Sequence, residues 1–494
     1  MFFRSPRFAA AVRTCEAADE AMGEDIGKTR FGAEEFAEFQ KRLAAETGQL
    51  SEALTAGAFS DTGFTLGFEV EAWLVDHNFF PSPINEAFLD TLNHPLVVPE
   101  ISRFNVELNF EPLVVESGVF HRAAERLGAL WTHANKVAHG MDANMVAIGT
   151  LPASREEDFS LRNMSPRKRY YALNNQILRL NEWRPAKMDI EGEDHFVAQQ
   201  MNVMLEAAAT SFQVHLKPPA ALAHRYYNAS IAASGPVLAV STNSPFLFGN
   251  ALWDETRIPI FEQAVPLTDR RGSHGRVGFG SRYITRSLTA YFEENAKDYD
   301  IQLPLLFDEG LSAFRHLRLQ NGTIWRWNRA LVGFEFDGTP HLRIEHRPLP
   351  SGPTIVDMIA NTAFYLGLTH HLVEHEPDFE NRLPFETARR NFYAAARSGL
   401  SCNLDWLETG SISARTLLLD SLLPSAAQGL AELGIEADEI ERFLGIVEAR
   451  VRSGQTGTIW QRRAFETYGK DVYKLMAAYC ENQRSGVPVH EWEL

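Results

Sequence analysis

The chain has 494 residues, 45% of them hydrophobic and 22% charged, the profile of an ordinary soluble globular protein with room for one large α+β unit or two to three domains. Its formal charge of −17 argues against a general nucleic-acid binder, which normally presents a basic face. Three scattered cysteines, Cys15, Cys402 and Cys480, form neither a disulfide framework nor a Cys/His metal pattern, and they suit a reducing compartment.

The opening "MFFRSPRFAAAVRTCE" has arginines interrupting its apolar stretch and makes a poor secretory signal. No apolar run approaches the ~18 residues of a membrane span, so the expectation is a cytoplasmic protein without membrane partners. The periodic "AEEFAEFQKRLAAETGQL" then predicts a helix, and Asp61-Thr62-Gly63 punctuates before the first strand. In that strand, "TLGFEVEAWLVD", Phe68, Val70, Ala72 and Leu74 alternate with Gly67, Glu69, Glu71 and Trp73. Successive strand side chains point to opposite faces, so two glutamates stand side by side.

The same alternation recurs along the chain. In "RFNVELNFEPLVV" Val106, Leu108 and Phe110 oppose Glu107, Asn109 and Glu111. A long helical pattern follows, then the short apolar strand "MVAIGTLP" and the basic run "SPRKRYY", which turns into a helix after Pro166. "TSFQVHLKPP" sets Phe212, Val214 and Leu216 against Gln213, His215 and Lys217 and is stopped by Pro218 and Pro219. "YYNASIAASGPVLAV" reads as a buried helix of small residues. Beyond an Arg- and Gly-rich stretch (270–286), Asp337-Gly338 marks a hairpin turn, and Leu342, Ile344 and His346 oppose Arg343, Glu345 and Arg347. From about 354 the apolar spacing is helical almost to the end. No repeat and no clear linker divides the chain; the organisation expected is an N-terminal helical segment (1–60), a sheet-and-helix core (61–375) and a helical C-terminal region packed on it (376–494).

Strands with one polar face fit an antiparallel or mixed sheet. A sheet face merely open to water would mix Thr, Ser, Lys and Glu. Here two strands carry paired acidic residues, one a histidine, and one a glutamate between arginines. Like charges so close destabilise a sheet, and partly buried carboxylates without partners are costly to desolvate. A divalent cation between Glu69 and Glu71 removes the conflict, and carboxylates with one imidazole suit Mg²⁺ or Mn²⁺ rather than structural zinc. Glu100, seven residues before Glu107, can join from a loop. Arginines beside such a site suit a phosphate or carboxylate substrate. No nucleophile elbow, HExxH helix or Walker sequence occurs, and His370, His371 and His375 read as structural.

In this order and spacing, "GFEVEAWLVD", "VELNFEP", "LEAAATSFQVHLKPP", "GPVLAVSTNSPFLFG" and "LRIEHRPLPSGPTIVDMIANTAF" resemble glutamate–cysteine ligase family 2, over about residues 65 to 370, with a looser match at "TGTIWQRRAFE". The resemblance implies a glutamine synthetase-like α+β fold: a curved, largely antiparallel sheet with helices on its outer face and a metal-lined funnel within. It implies Glu69, Glu71, Glu100, Glu107, His215 and Glu345 as metal ligands and Arg347 as the phosphate-facing catalytic arginine beside Glu345. Gln213, Lys217 and Arg343 are the expected nucleotide or metal contacts, with Gln213 and Lys217 standing where related sequences often carry a second His or Asn. Arg282 or Arg286 would hold the amino-acid carboxylate. The implied activity is ATP-dependent ligation of glutamate to cysteine through a γ-glutamyl phosphate, with Mg²⁺ or Mn²⁺ and small-molecule substrates, in a chain free to form homo-oligomers. A ligase of the same fold for another acid or amine, a metal-dependent phosphohydrolase and a catalytically idle relative stay open as alternatives.

Overall fold

The computed structural model describes residues 26–494; Cys15 and the opening stretch lie outside the described residues. Its frame is an eight-stranded sheet. The strands are β1 (Thr65–Val75), β2 (Val97–Pro99), β3 (Asn105–Asn109), β4 (Leu113–Val114), β5 (Asn144–Val146), β6 (Phe212–Lys217), β7 (Asn328–Phe334) and β8 (Pro340–His346). They run in the order β7-β8-β6-β1-β3-β2, with β4 and β5 also pairing with β1. Every pairing is antiparallel, and the sheet curves around its polar face.

The alternation seen in the sequence is the reason for this geometry. Phe68, Val70, Ala72, Val106, Leu108, Phe212, Val214, Leu216, Leu342 and Ile344 are all buried on one side of the sheet. Against that side packs α1 (Ala223–Ser241), and outside it lie α2 (Ile355–His375) and α3 (Phe385–Ser398). Small residues permit the close approach: a Cβ at Gly235 of α1 would press on the Asn391 backbone at 3.0 Å. Ser234 accepts a hydrogen bond from Asn328 at 2.8 Å, and Ser230 meets the Tyr365 hydroxyl at 2.7 Å, so the polar atoms of this layer are paired.

His346 belongs to this buried side. It stacks on Tyr365 with ring centroids 4.2 Å apart, bonds Asn328 at 2.7 Å, and burial pulls its imidazole down to about 3, so it stays neutral core. The β7–β8 hairpin turns at Asp337-Gly338 as the sequence predicts; Gly338 takes φ +86°, a left-handed conformation that favours glycine.

Beyond α2, α4 (Leu423–Glu432) and α5 (Ala437–Ser453) continue the helical layer. The helix Gly457–Thr467 begins at Thr456, whose hydroxyl accepts from Ile459, and a Cβ at Gly457 would strike the Asn243 side chain. The C-terminal region therefore docks directly behind the Asn243-Ser244-Pro245 turn. Three short hairpins among the described residues escaped the periodicity: Ala186–Glu191 with His195–Gln200, Phe246–Leu247 with Asn250–Ala251, and Asn403–Asp405 with Ser411–Ser413 inside the region predicted helical. No helix among the described residues is long and apolar enough to cross a membrane.

Candidate active site

Strand register decides which polar side chains meet. Glu345 of β8 lies directly across from His215 of β6, and His215 from Gly67 of β1. Glu69 has Gln213 on one side and Asn109 on the other, while Glu71 faces Glu107. Two clusters result, each with ligand atoms within 4.8 Å of one another: Glu69, His215 and Glu345, and Glu71, Glu100 and Glu107. All six metal ligands expected from the sequence are thus brought together. Glu69 and Glu71 fall into different clusters, because residues i and i+2 of a strand stand ~6–7 Å apart and each finds its own partners on neighbouring strands.

In the first cage His215 Nε2 lies 3.1 Å from Glu69 Oε1 and 4.0 Å from Glu345 Oε2. Glu345 is almost fully buried and accepts from two arginines, Arg329 Nη2 at 2.7 Å and Arg347 Nη1 at 2.9 Å. Burial alone would raise its carboxyl, but Arg329 and Arg347, with His215, hold it down at about 2. Arg347 is itself positioned by the chain: its N–H donates to the Trp327 carbonyl, and its own carbonyl accepts from the buried Arg257 at 3.2 Å.

The second cage contains carboxylates alone. Glu71 accepts from Ser211 N at 2.7 Å, Ser211 Oγ at 2.8 Å and Gln213 Nε2 at 3.3 Å; Glu107 accepts from Asn109 at 3.0 Å. Glu100 reaches in from the β2–β3 loop, which is pinned to residues 163–165 by the Arg103–Asn163 and Ser165–Ile101 backbone bonds. Burial, then the charge of Glu100, pushes Glu71 up to about 7. Burial with Glu69, Glu100 and Glu71 nearby drives Glu107 well above its usual range, and Glu100 is raised by burial too. Two clusters of hard oxygen donors, one with a single imidazole, fit Mg²⁺ or Mn²⁺. The buried Gln213 Oε1, which has no hydrogen-bond partner among the described residues, fits the same conclusion.

The remaining predicted contacts are more dispersed. Lys217 is buried on the polar face and bound to Glu335 at 2.6 Å. Arg343 lies half-buried, two residues before Glu345 on β8. Arg282 is exposed and 3.5 Å from Glu294, and Arg286 is exposed; neither bonds to a cage residue among the described residues. The neighbouring arginines are structural, Arg276 buried on the Thr323 carbonyl at 2.6 Å and Arg270 paired with Asp300 at 2.9 Å. His370 and His375 bond to Tyr226 and Glu432 and stay outside any metal-like cluster among the described residues.

Three contributors went unread in the sequence. Arg329 was not legible: a two-residue turn at Asp337-Gly338 would set Ala330 across from Glu345, and it is the longer loop of residues 335–339 that brings Arg329 there. Arg169 sits in the "SPRKRYY" run, its charge felt by Glu100 and Glu107, with Nη2 donating to Tyr170 at 2.7 Å. Glu206, on the turn before β6, lies within the field of Glu100, Glu71 and Arg347; burial, then those carboxylates, raises it well above the normal range. No periodicity marks it.

The profile of glutamate–cysteine ligase family 2 matches residues 65–474 of this chain. No curated protein sequence matches it. Among solved structures, it is similar to a glutamate–cysteine ligase from Francisella tularensis determined in complex with AMP, at 11% identity and a TM-score of 0.52 over 86% of this chain and 90% of that one. It also aligns with a bifunctional glutathione synthetase from Pasteurella multocida, at 11% identity and a TM-score of 0.48, over 91% of this chain and 54% of that one. A glutamine synthase homolog aligns at 13% identity and a TM-score of 0.32, over 90% and 74% of the two chains. Of the three, the first shows a shared fold; the others lie too far away to support an inference.

Proposed function

The chain belongs to glutamate–cysteine ligase family 2, a family of ATP-dependent carboxylate–amine ligases, and from that premise we propose that it joins the γ-carboxylate of glutamate to the amine of cysteine. The observation that carries the reading is the convergence of six ligand side chains from separate segments into two cages on one polar face, with arginines alongside.

A carboxylate is a poor electrophile at neutral pH and needs activation. In the proposed reaction its oxygen attacks the γ-phosphorus of ATP, the bond to the ADP oxygen breaks, and an acyl phosphate forms. The amine then attacks the acyl carbon, an amine proton is lost, and phosphate leaves. Phosphoryl transfer asks mainly for alignment and charge neutralisation rather than covalent help. Glu69, His215 and Glu345 would hold one divalent ion and Glu71, Glu100 and Glu107 another. When bound, such ions supply charge neutralisation to the phosphate oxygens.

The protein's own part is preparation. Arg329 keeps Glu345 ionised and oriented, and Arg347, tied to the same carboxylate and fixed by Arg257, brings a guanidinium to the rim of the cage. Lys217 and Arg343, on the same face, are proposed as further phosphate contacts. Arg282 and Arg286, both exposed, are proposed as rim contacts for the acid's carboxylate.

The test is ADP release over a panel of amino acids, with Mg²⁺ and Mn²⁺ in turn. A glutamate–cysteine ligase makes ADP only when glutamate and cysteine are both present. ADP formed without an amine would replace the reading with a phosphohydrolase, and ADP formed only with a different acid or amine would move the specificity. No ADP under any combination would leave an idle relative.

A further inference from the structure

Gln213 stands on β6 between the two cages, directly across from Glu69 and two residues from His215 on the same face. It is 2% exposed. Its Nε2 donates to Glu71 Oε1 at 3.3 Å, while its Oε1 is buried with no hydrogen-bond partner among the described residues. An unsatisfied buried amide oxygen costs roughly 1–3 kcal/mol. Turning the amide over gives no relief, because the oxygen would then lie against the Glu71 carboxylate, acceptor against acceptor, and Glu71 would lose a donor. Glu71 therefore dictates the orientation, and the oxygen is left to the remainder of the face.

A second orphan lies beside it. His215 Nε2 is also buried without a hydrogen bond, although Glu69 Oε1 is only 3.1 Å away. Gln213 Oε1 thus shares its face with His215, two residues along the strand, and with the carboxylates of Glu69 and Glu345. A cation satisfies this arrangement, since an amide carbonyl is a hard oxygen donor of the kind Mg²⁺ and Mn²⁺ accept alongside carboxylates.

We propose that Gln213 Oε1 is a fourth protein ligand of the ion held by Glu69, His215 and Glu345. Through the opposite end of the same amide, Gln213 ties that ion to the Glu71–Glu100–Glu107 cage. Coordination at Oε1 polarises the amide and strengthens the Nε2 hydrogen bond to Glu71, so filling one cage favours filling the other. Being neutral, Gln213 adds a ligand without adding negative charge to a region already dense in carboxylates. The inference rests on the two-ion reading of the site.

The experiment is a Mn²⁺ titration of the full chain, followed by calorimetry and by the paramagnetic resonance signal of free Mn²⁺. The wild type is compared with Gln213→Leu, which keeps the volume and removes both amide functions, and with Gln213→Glu. Far-UV circular dichroism and melting curves check the fold. The wild type should bind two ions with positive coupling. Gln213→Leu should weaken one site by about tenfold or more and abolish the coupling, and Gln213→Glu should tighten the same site. In a Glu345→Gln background, where that ion is already compromised, adding Gln213→Leu should change the remaining site only through the lost hydrogen bond to Glu71, well short of the loss seen at the first site.

Both affinities staying within about twofold in both Gln213 variants would overturn the proposal and assign Oε1 to a bridging water. If Gln213→Leu fails to fold, an unchanged affinity in Gln213→Glu alone overturns it. A wild type that binds no Mn²⁺ would sink the two-ion reading itself, a different outcome from two ions bound without help from Gln213.

Discussion

Glu345 and Glu71 are two carboxylates of one sheet face, each crowded by other acids, yet they carry charge differently. Burial pushes both upward. In the cage of Glu69, His215 and Glu345, the Arg329 and Arg347 guanidinium groups overcome burial and leave Glu345 ionised down to about pH 2. In the cage of Glu71, Glu100 and Glu107, the hydrogen-bond partners are hydroxyl, amide and backbone N–H groups; burial pushes Glu71 up to about 7 and Glu107 well above its usual range. At Glu71 the neutral donors and the more distant Arg347 only soften the cost of burial, whereas two bonded guanidinium groups reverse it at Glu345. Glu345 is therefore ionised well below neutral pH, while Glu71 still titrates at about 7.

The largest effect expected from this contrast is catalytic. Glu345→Gln or Glu69→Gln should cut ATP turnover on the order of 10³-fold while the circular dichroism spectrum stays native, because each removes charge where the phosphates would be neutralised. Near-normal turnover in both variants would separate the first cage from the chemistry.

Arg329→Met should come next. It leaves the buried Glu345 with one arginine, and losing a partner of a buried ion pair costs roughly 3–5 kcal/mol. For a chain of this size that corresponds to a melting point about 3–5 °C lower by calorimetry. More telling, Mn²⁺ binding at the first cage should acquire the proton competition of the second. If its pH profile stays flat, the arginine is not what distinguishes the two.

A smaller effect concerns stability against pH. Carboxyls raised in the folded state bind more protons than in the unfolded chain, so stability falls as pH rises from the unfolded value near 4.5 through about 7. Metal-free protein should melt a few °C lower at pH 7.5 than at pH 5.5, by roughly the conversion above. Saturating Mn²⁺ should erase that slope. Glu345, depressed to about 2, contributes the opposite way: its stabilisation is present above about 4.5 and is lost as pH falls toward 2. The mildest change is expected at the two exposed arginines. Arg282→Ala or Arg286→Ala should raise KM for the acid by about tenfold at most with kcat unchanged, the mark of binding lost equally from ground and transition states.

Much of the site could be read in advance because alternation is a local property. Glu69, Glu71, Glu107, His215 and Glu345 each announce the polar face by sitting among Val, Leu, Ile and Phe of the opposite parity. Arg329 was out of reach, since the loop of residues 335–339 shifts the register by one residue from that of a two-residue turn at Asp337-Gly338. Glu206 and Arg169 carried no such signal. Their place comes from a turn before β6 and a helix start pinned to the β2–β3 loop, contacts made across long stretches of chain. The hairpin at Asn403–Ser413 was lost inside a helical pattern because three-residue strands are too short to express a period of two.

Residue order alone settles which side chains share a face, where the hairpin turns and which acids must contend with one another, because all three follow from a two-residue period and from turn chemistry. It does not settle how those acids divide. Glu69 joins an imidazole and an arginine-bound glutamate, and Glu71 two further glutamates, because β6 and β8 lie to one side of β1 and β3 to the other. Strand neighbours come from packing far along the chain, and with them comes the charge state of each cage.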